Sequence, residues 1–272
     1  MKAKYLSLVL AGLVWANAHG EEGQEAPKEL SATVTFDSDY IFRGLTQTWG
    51  KPALQASLDY VGANGVYASV WTSNVDSNVV AGANQEIDLS AGYNGAISPD
   101  WGYTFGVMRV LYPDGDYSKI KYAPFPHQEY NFTEANGGIS YKWLSLKFYY
   151  SLTDFMGFNK NTGYTGSTRG SVYTDLSANI PLAPSWTLNL HAGHENLAAD
   201  LVTPTVNGSR NTDFMDYRLA LNKDLGQGWN ANLAYTWNSN RGLLDNTPSN
   251  NDANATRNVG KKLFSFALSK TF

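Results

Sequence analysis

Hydrophobic and polar residues alternate along most of the chain from residue 30 onward. In residues 30–43, Val34, Phe36, Tyr40 and Phe42 fall on even positions, while polar residues such as Asp37 fall on odd ones. Because successive side chains of a β-strand point to opposite faces, this period of two predicts a strand with one apolar and one polar face. The same pattern is strong in six further segments, residues 54–60, 86–93, 144–152, 186–192, 229–237 and 264–272.

Weaker alternation predicts five more strands, in residues 65–73, 101–109, 130–142, 171–180 and 214–221. Arg109 falls on the apolar side of its segment, so we expect a β-bulge or the strand end nearby. Residues 130–142 alternate only if Ala135, Ile139 and Tyr141 face outward. The total is about twelve strands of roughly 9–13 residues, close to the length that a tilted transmembrane strand needs. Neither a helix beyond the N-terminus nor a linker interrupts the pattern, which indicates one domain.

The predicted connections alternate between short and long. Short ones cover residues 62–64, 95–100, 142–143, 181–185 and 222–228, and longer ones cover residues 44–53, 74–84, 113–129, 154–170, 197–212 and 238–260. Outer-membrane barrels have short periplasmic turns and long extracellular loops, whereas a soluble β-sandwich gives no such rhythm. The prolines after residue 30 fall in connections or at strand ends, and aromatic residues gather near strand ends as an interfacial girdle requires.

The N-terminus has the features of a secretory signal peptide. Lys2 and Lys4 precede an apolar run at residues 6–15, and Ala16 and Ala18 form an A-x-A cleavage site. A single membrane anchor is the alternative, but it needs about 17–25 apolar residues and this run is shorter. We therefore expect a signal peptide in residues 1–18, a flexible periplasmic lead-in in residues 19–29 and a barrel in residues 30–272.

Composition excludes several other classes. Of the 272 residues, 43% are hydrophobic, 16% charged and 14% aromatic, and the mean hydropathy is −0.34. Disordered chains lack aromatic residues, and disulfide scaffolds and thiolate metal sites need cysteine, of which this chain has none. The net charge of −4 argues against nucleic-acid binding, which needs a basic surface. Low charge and a negative hydropathy are compatible because apolar and polar residues occupy opposite faces of the same strands.

The last predicted strand carries Phe264, Phe266 and Leu268 on one face and ends at Phe272. A terminal aromatic residue on an amphipathic last strand resembles the signal that the outer-membrane assembly machinery reads. Together with the signal peptide and the strand pattern, it predicts an all-β transmembrane antiparallel barrel in a Gram-negative outer membrane. Its partners would then be the lipid bilayer, lipopolysaccharide and that assembly machinery.

One block of sequence carries a family resemblance. Residues 38–47, SDYIFRGLTQ, are followed by Pro52 and an alternating strand, and this block is similar to the opening of the TorF family of porins, also called the Gcw_chp family. The later similarities to that family are Tyr112 with Pro113, the strand around Glu134, and Asp224 with Gly226. The resemblance covers most of the mature chain. It implies a porin-type barrel and brings no catalytic residues.

No residue set in the sequence predicts catalysis, a cofactor or a metal site. His191 and His194 are three residues apart on a strand, so their side chains point to opposite faces and cannot share a metal. A pairing of His127 with Glu129 in a loop has no further support. Residues 114–116 and 245–254 are rich in Asp and Asn but lack the oxygen spacing of a calcium loop. A barrel enzyme and a soluble secreted β-protein are therefore the weakest alternatives.

Charged residues concentrate on the predicted inner face of the strands. They are Asp37, Asp39, Arg43, Asp59, Glu86, Asp88, Glu134, Lys147, Asp175, Glu195, Asp216 and Arg218. Since charge on the lipid-facing side of a barrel is costly, this clustering is expected of any lumen. The sharper hypothesis is that they line the pore of a porin-like channel for small hydrophilic solutes, with a mild cation preference.

The alternative is a structural or adhesive barrel with a plugged lumen and extracellular loops that bind a partner. Ion pairs of Asp37 and Asp39 with Arg43 or Arg218 would form such a plug, and the Asn-rich last loop would bind the partner. In either case we expect the loop at residues 113–129 to fold inward, because it is long, aromatic and stiffened by proline.

Overall fold

The computed structural model describes residues 29–203, 208–239, 246–260 and 262–272, together with a short antiparallel pair, Leu8–Val9 with Val14–Trp15. Apart from that pair and residue 29, the predicted signal peptide and lead-in lie outside the described residues.

Twelve strands close an antiparallel barrel, as the alternation predicted. In chain order they are β1 (Leu30–Asp37), β2 (Ala53–Val61), β3 (Val66–Asn74), β4 (Gln85–Ala96), β5 (Trp101–Leu111), β6 (Phe132–Tyr141), β7 (Leu144–Ser151), β8 (Val172–Ala183), β9 (Trp186–Asn196), β10 (Phe214–Gly226), β11 (Trp229–Asn238) and β12 (Leu263–Thr271). Each strand pairs with its sequence neighbours, and β12 closes the ring against β1 with Leu268 opposite Phe36. A closed ring leaves no unpaired strand edge, which is what a membrane requires of a β-structure.

The outer face of the barrel is apolar. Large hydrophobic side chains remain exposed along the strands, with Leu54 64% exposed, Phe105 56% and Phe264 71%. A soluble protein would rarely leave so many large apolar side chains exposed, so this surface is the one that faces lipid. Ile139 and Tyr141 lie on it, as predicted for β6.

Two strands contain residues that do not fit the alternation of apolar and polar positions, Arg109 in β5 and Pro181 in β8. In β5 the register stays regular through Arg109, opposite Leu89 and Thr133, so the strand end at Leu111, and no bulge, accounts for its position. In β8, Pro181 is paired within the strand, and the register shifts between it and Ala183. The shift accommodates a residue that has no N–H to donate.

The connections alternate in length around the whole ring. Five short turns join β2 to β3, β4 to β5, β6 to β7, β8 to β9 and β10 to β11, and six longer loops make the other joins. All the longer loops therefore lie at one end of the barrel and both chain ends at the other. The described parts of these loops contain three 3₁₀ helices, Tyr117–Lys119, Phe155–Gly157 and Lys160–Thr162. Small hairpins pair Leu201–Thr203 with Gly208–Arg210 and Thr247–Ser249 with Asp252–Arg257.

Among the described residues, no helix is long and apolar enough to cross a membrane.

Buried apolar side chains form one cluster at the end of the barrel that carries the long loops. We call it the mouth cluster; it includes Tyr40, Trp71, Val80, Met108, Val110, Tyr112, Tyr117, Ile120, Tyr130, Phe132, Phe155 and Leu197. Inner-face residues of the strands, such as Met108 and Phe132, pack there against residues of the loops. The loop at residues 112–131 contributes Tyr117, whose ring stacks 4.1 Å from that of Tyr130. Tyr117, Ile120 and Tyr130 of this loop are buried in the mouth cluster, while most of its other residues are exposed.

Candidate functional site

The first long connection, residues 38–52, enters the barrel as a hairpin. Ile41–Phe42 pairs with Leu45–Thr46 across a two-residue turn at Arg43 and Gly44. Both turn residues have positive φ, 44° and 76°, the combination that a type I′ hairpin turn requires. We call residues 38–47 the inner hairpin; they are the block that carries the family resemblance.

Hydrogen bonds within the connection fix the inner hairpin. The Asp39 carboxylate accepts from the Thr48 hydroxyl at 2.9 Å and from the Thr46 hydroxyl. The Gln47 N–H donates to the Tyr40 carbonyl at 2.7 Å. Thr46, Gln47 and Thr48 are at most 2% exposed, so this part of the chain is packed inside the molecule.

The position of Tyr40 corrects the sequence prediction. We expected residues 30–43 to form one strand with Tyr40 and Phe42 on the lipid face, but β1 ends at Asp37 and the chain leaves the barrel wall. Tyr40 is buried, its hydroxyl donates to Glu86 at 3.0 Å, and its ring meets Trp71 edge-on at 5.2 Å. The alternation continues past Asp37 by chance, because the apolar Tyr40 and Phe42 of the hairpin also fall on even positions.

Arg43, at the tip of the inner hairpin, makes the central ion pairs of the interior. Its guanidinium donates to both carboxylate oxygens of Glu134, at 3.1 and 2.6 Å, and to Glu195 at 2.8 Å. Both glutamates are 0% exposed. Charge-assisted bonds of this bidentate kind are the strongest that side chains make, so they fasten the hairpin to β6 and β9.

Aromatic rings surround the same guanidinium. Its central carbon lies 4.2 Å from the ring centre of Tyr173, 5.0 Å from Phe42, 5.1 Å from Phe155 and 5.4 Å from Tyr149. These distances are within the range of cation–π attraction. The Arg43 guanidinium therefore has carboxylates at its edge and aromatic rings around it.

Gly44 allows the hairpin tip to approach the barrel wall. A β-carbon at this position would lie 2.5 Å from the β-carbon of Asp216 on β10, closer than real contacts allow. Any larger residue would push the turn away from the wall, and positive φ adds strain for non-glycine residues.

A second polar network lies beside the first. His191 on β9 stands between two carboxylates, with Nε2 at 3.0 Å from Asp216 and Nδ1 at 3.3 Å from Asp175. The Tyr173 hydroxyl donates to Asp216 at 2.9 Å, and Ser177 donates to Asp175 at 2.5 Å. Because Tyr173 also borders Arg43, the two networks are continuous.

The structure places the twelve predicted inner-face residues in the barrel interior, with clear differences among them. Ten are less than 10% exposed: Asp39, Arg43, Asp59, Glu86, Asp88, Glu134, Lys147, Asp175, Glu195 and Asp216. Asp37 and Arg218 are partly buried. Asp59 lies toward the short-turn end and accepts from Ser57 and Ser69, away from the inner hairpin.

These contacts correct the expected ion pairs of Asp37 and Asp39 with Arg43. Arg43 pairs with Glu134 and Glu195, and Arg218 donates to Asn232 at 2.7 Å. The pairing with Arg43 was wrong because it joined residues close in sequence, whereas the turn at Arg43 carries the guanidinium across the lumen. The other expected partner, Arg218, does interact electrostatically with Asp37.

Sequence reasoning missed the aromatic and histidine members of the site. Tyr149, Tyr173 and His191 occupy odd positions on the polar side of alternating strands, which was the available signal. His194 falls on the opposite face of β9 from His191, as predicted. His127 contacts Asp116 at 2.5 Å. Within the described residues, no group of three or more histidine or acidic side chains is arranged to hold a metal.

The fold and its apolar outer face define a β-barrel with the fold of bacterial outer-membrane porins. Two solved structures show the same fold. One is titled "NanC porin structure in rhombohedral crystal form", with a TM-score of 0.51, 10% identity, and coverage of 89% of this chain and 98% of that one. The other is "KdgM porin in complex with disordered oligogalacturonate", with a TM-score of 0.50, 8% identity and the same coverage.

Residues 21–272 match the family model described as "Bacterial protein of unknown function (Gcw_chp)", and the chain belongs to this family. No curated protein matches its sequence.

Proposed function

We propose that the protein is a porin-like channel of the TorF type for passive diffusion of small hydrophilic solutes, with a mild cation preference. The observation that carries the proposal is the contrast between an apolar outer face and an inner face of ionisable side chains. Acidic residues outnumber basic ones on that inner face, and an acidic pore favours cations. A twelve-stranded barrel has a bore between the small filled barrels and the wide porins.

The inner hairpin supports a channel with a narrow neck near the outside. Glu134 is the third residue of β6 and Glu195 is the last but one of β9, so both lie close to the long-loop end. At about 3.3 Å per residue, Glu134 and Glu195 lie roughly 7 and 3 Å along their strands from the long-loop end, so the proposed neck is just inside the mouth. Solutes would have to pass the Arg43 network, which makes it the selectivity-determining part of the proposed channel.

A closed barrel with partner-binding loops is the second candidate. The observation that favours it is the burial of the neck, where Thr46, Glu134 and Glu195 are all 0% exposed. In this alternative the inner hairpin is a permanent plug. We propose for both candidates that lipid and lipopolysaccharide surround the apolar face.

Planar-bilayer recording of the refolded mature protein separates the two candidates. A channel gives discrete conductance steps, and in a salt gradient its reversal potential shifts toward the value for cations. Absence of any step over a range of voltages and salt concentrations would overturn the channel in favour of the closed barrel. A reversal potential on the anion side would overturn the cation preference alone.

A further inference from the structure

We propose that Glu134, Glu195, Tyr149 and Tyr173 form a binding site for guanidinium groups, and that Arg43 occupies it as a tethered ligand. Solutes that carry a guanidinium group are then the chemical class that the proposed channel recognises. The inference rests on the proposed function only for the route by which such a solute would enter. The site itself depends only on contacts in the barrel wall.

The wall satisfies the two chemical features that distinguish a guanidinium from other cations. Its planar edge presents several N–H donors, and here two oxygens of Glu134 and one of Glu195 accept from it at 2.6 to 3.1 Å. Its faces are weakly hydrated and stack on aromatic rings, and the Tyr173 ring centre lies 4.2 Å away. A compact ammonium ion would use neither the bidentate pairing nor the stacking as well.

The acceptor groups belong to the barrel and remain when the hairpin is absent. Glu134, Tyr149, Tyr173 and Glu195 lie on four consecutive strands, β6 to β9. Glu195 is paired directly opposite Tyr173 in the β8–β9 register. Arg43, in contrast, is held on a two-residue turn of a connection. The proposed guanidinium site is therefore built on strands of the barrel wall, and the Arg43 side chain that fills it is carried on the inner hairpin.

The site also has acceptor capacity that Arg43 leaves unused. Two buried carboxylates face one guanidinium, and the Oε1 atom of Glu195 makes no hydrogen bond to any described residue although the side chain is 0% exposed. Buried polar atoms normally have partners. The acceptors of the site therefore exceed the donors that Arg43 supplies, and a guanidinium group in its place could use the remaining oxygen.

Tethering explains why Arg43 holds the site in the unmodified protein. A group attached by a short linker competes at an effective concentration in the millimolar range or above, without any new contact. Truncating Arg43 removes that competitor and leaves the wall groups in place. A free guanidinium ion is then expected to take the same position.

The test uses the full mature chain with the substitution R43A and the guanidinium ion as the probe. Thermal unfolding is followed by heat-modifiable gel mobility in detergent, with methylammonium chloride at equal concentration as the control. At a tenfold excess over Kd, guanidinium should raise the midpoint of R43A by about 3 °C. It should raise the midpoint of the unmodified protein much less, because there the probe must displace Arg43. It should not raise the midpoint of the triple variant R43A/E134Q/E195Q, which lacks the acceptor charges.

If R43A folds poorly, the expected result is that guanidinium, but not methylammonium, restores its folded band during refolding. The variant R43K provides a second test of the site. Its lysine ammonium pairs less well with Glu134 and Glu195, so free guanidinium should displace it and raise the unfolding midpoint. Equal effects of the two cations on both variants, or an equal effect on the triple variant, would overturn the proposal.

Bilayer recording keeps this result separate from the proposed function. Guanidinium-specific stabilisation without conductance in any variant would support the site and reject the channel. Conductance of R43A that guanidinium and methylammonium block equally would support the channel and reject the site.

Discussion

At the scale of single residues, the interior depends on one cation that neutralises part of a buried acidic set. Arg43 is the group that lets Glu134 and Glu195 be buried together. Removing one partner of a buried ion pair costs more than the pair contributes, because the other charge remains without compensation. Substitutions at this network should therefore lower the free energy of unfolding more than matched substitutions elsewhere on the inner wall.

The first prediction compares Glu134→Gln with Asp59→Asn. Both replace a buried carboxylate by its amide, but only Glu134 contacts Arg43, whereas Asp59 accepts from two serine hydroxyls. We expect E134Q to lower the free energy of unfolding by about 2–3 kcal/mol and D59N by about 1 kcal/mol or less. Urea unfolding in lipid vesicles, followed by tryptophan fluorescence, measures both. Equal losses would show that Arg43 does not stabilise the fold through this pair.

The second prediction compares two glycines with the same backbone strain. Gly44 and Gly226 have φ of 76° and 82°, but an added β-carbon at Gly44 would meet Asp216, while nothing lies within 4 Å at Gly226. Gly226→Ala should cost about 1 kcal/mol from strain alone. Gly44→Ala should cost at least about 2 kcal/mol more, since the hairpin tip must move away from the wall. The same unfolding measurement applies, and similar costs for the two variants would contradict the close approach.

At the scale of elements, the inner hairpin and the loop at residues 112–131 have different roles. The loop contributes Tyr117, Ile120 and Tyr130 to the mouth cluster, so it covers the entrance. The hairpin carries Arg43 to the charged wall. The hairpin, and not the loop, therefore sets the narrowest part of the proposed channel.

The third prediction follows from that difference. Replacing residues 41–46 by two glycines is sterically simple, since the Gln47 N–H already bonds to the Tyr40 carbonyl at 2.7 Å. This variant should give a larger single-channel conductance than the unmodified protein. Deleting residues 113–129 should also raise the conductance, but by less, because the Arg43 neck remains. Single-channel recording tests which of the two variants gains more conductance. A larger gain for the loop deletion would place the neck in the mouth cluster instead.

The elements differ in how far they follow from sequence. A strand that is apolar on one face and polar on the other carries its own signature, so the twelve strands and the order of long and short connections were predictable. The inner hairpin was not, because Tyr40 and Phe42 continue the alternation of β1 after the chain has left the wall. The turn at Arg43 and Gly44 was the local signal. Which wall carboxylates meet Arg43 depends on strand register, which alternation does not determine.

At the scale of the whole molecule, the alternation of connection length predicts an orientation in the membrane. The long loops form the mouth, and short turns and both chain ends lie opposite. In an outer membrane the long loops face outward. The cluster with Arg43, Glu134 and Glu195 would then be reached first from the outside of the cell.

The fourth prediction tests this orientation with an epitope inserted at two exposed positions. One insertion follows Pro126, in the loop at residues 112–131, and the other follows Ser98, in the turn between β4 and β5. Antibody should label intact cells only for the insertion after Pro126, and permeabilised cells for both. Labelling of intact cells through Ser98 would reverse the orientation.

The final prediction separates stability from assembly at the C-terminus. Phe272 follows β12 at the seam of the barrel, where its N–H donates to the Ala32 carbonyl at 2.9 Å, yet its side chain is 60% exposed. An exposed ring contributes little to the folded state, so Phe272→Ala should change the unfolding free energy of refolded protein by no more than about 0.5 kcal/mol.

In cells, the same variant should accumulate far less heat-modifiable barrel in the outer membrane, and Phe272→Tyr should restore it, if the terminal ring is what the assembly machinery reads. Normal assembly of F272A would reject that role. A large loss of stability in the refolded variant would instead assign Phe272 to the closure of β12 against β1. The two measurements together therefore distinguish a recognition signal from a structural contact at the one seam where the last strand must find the first.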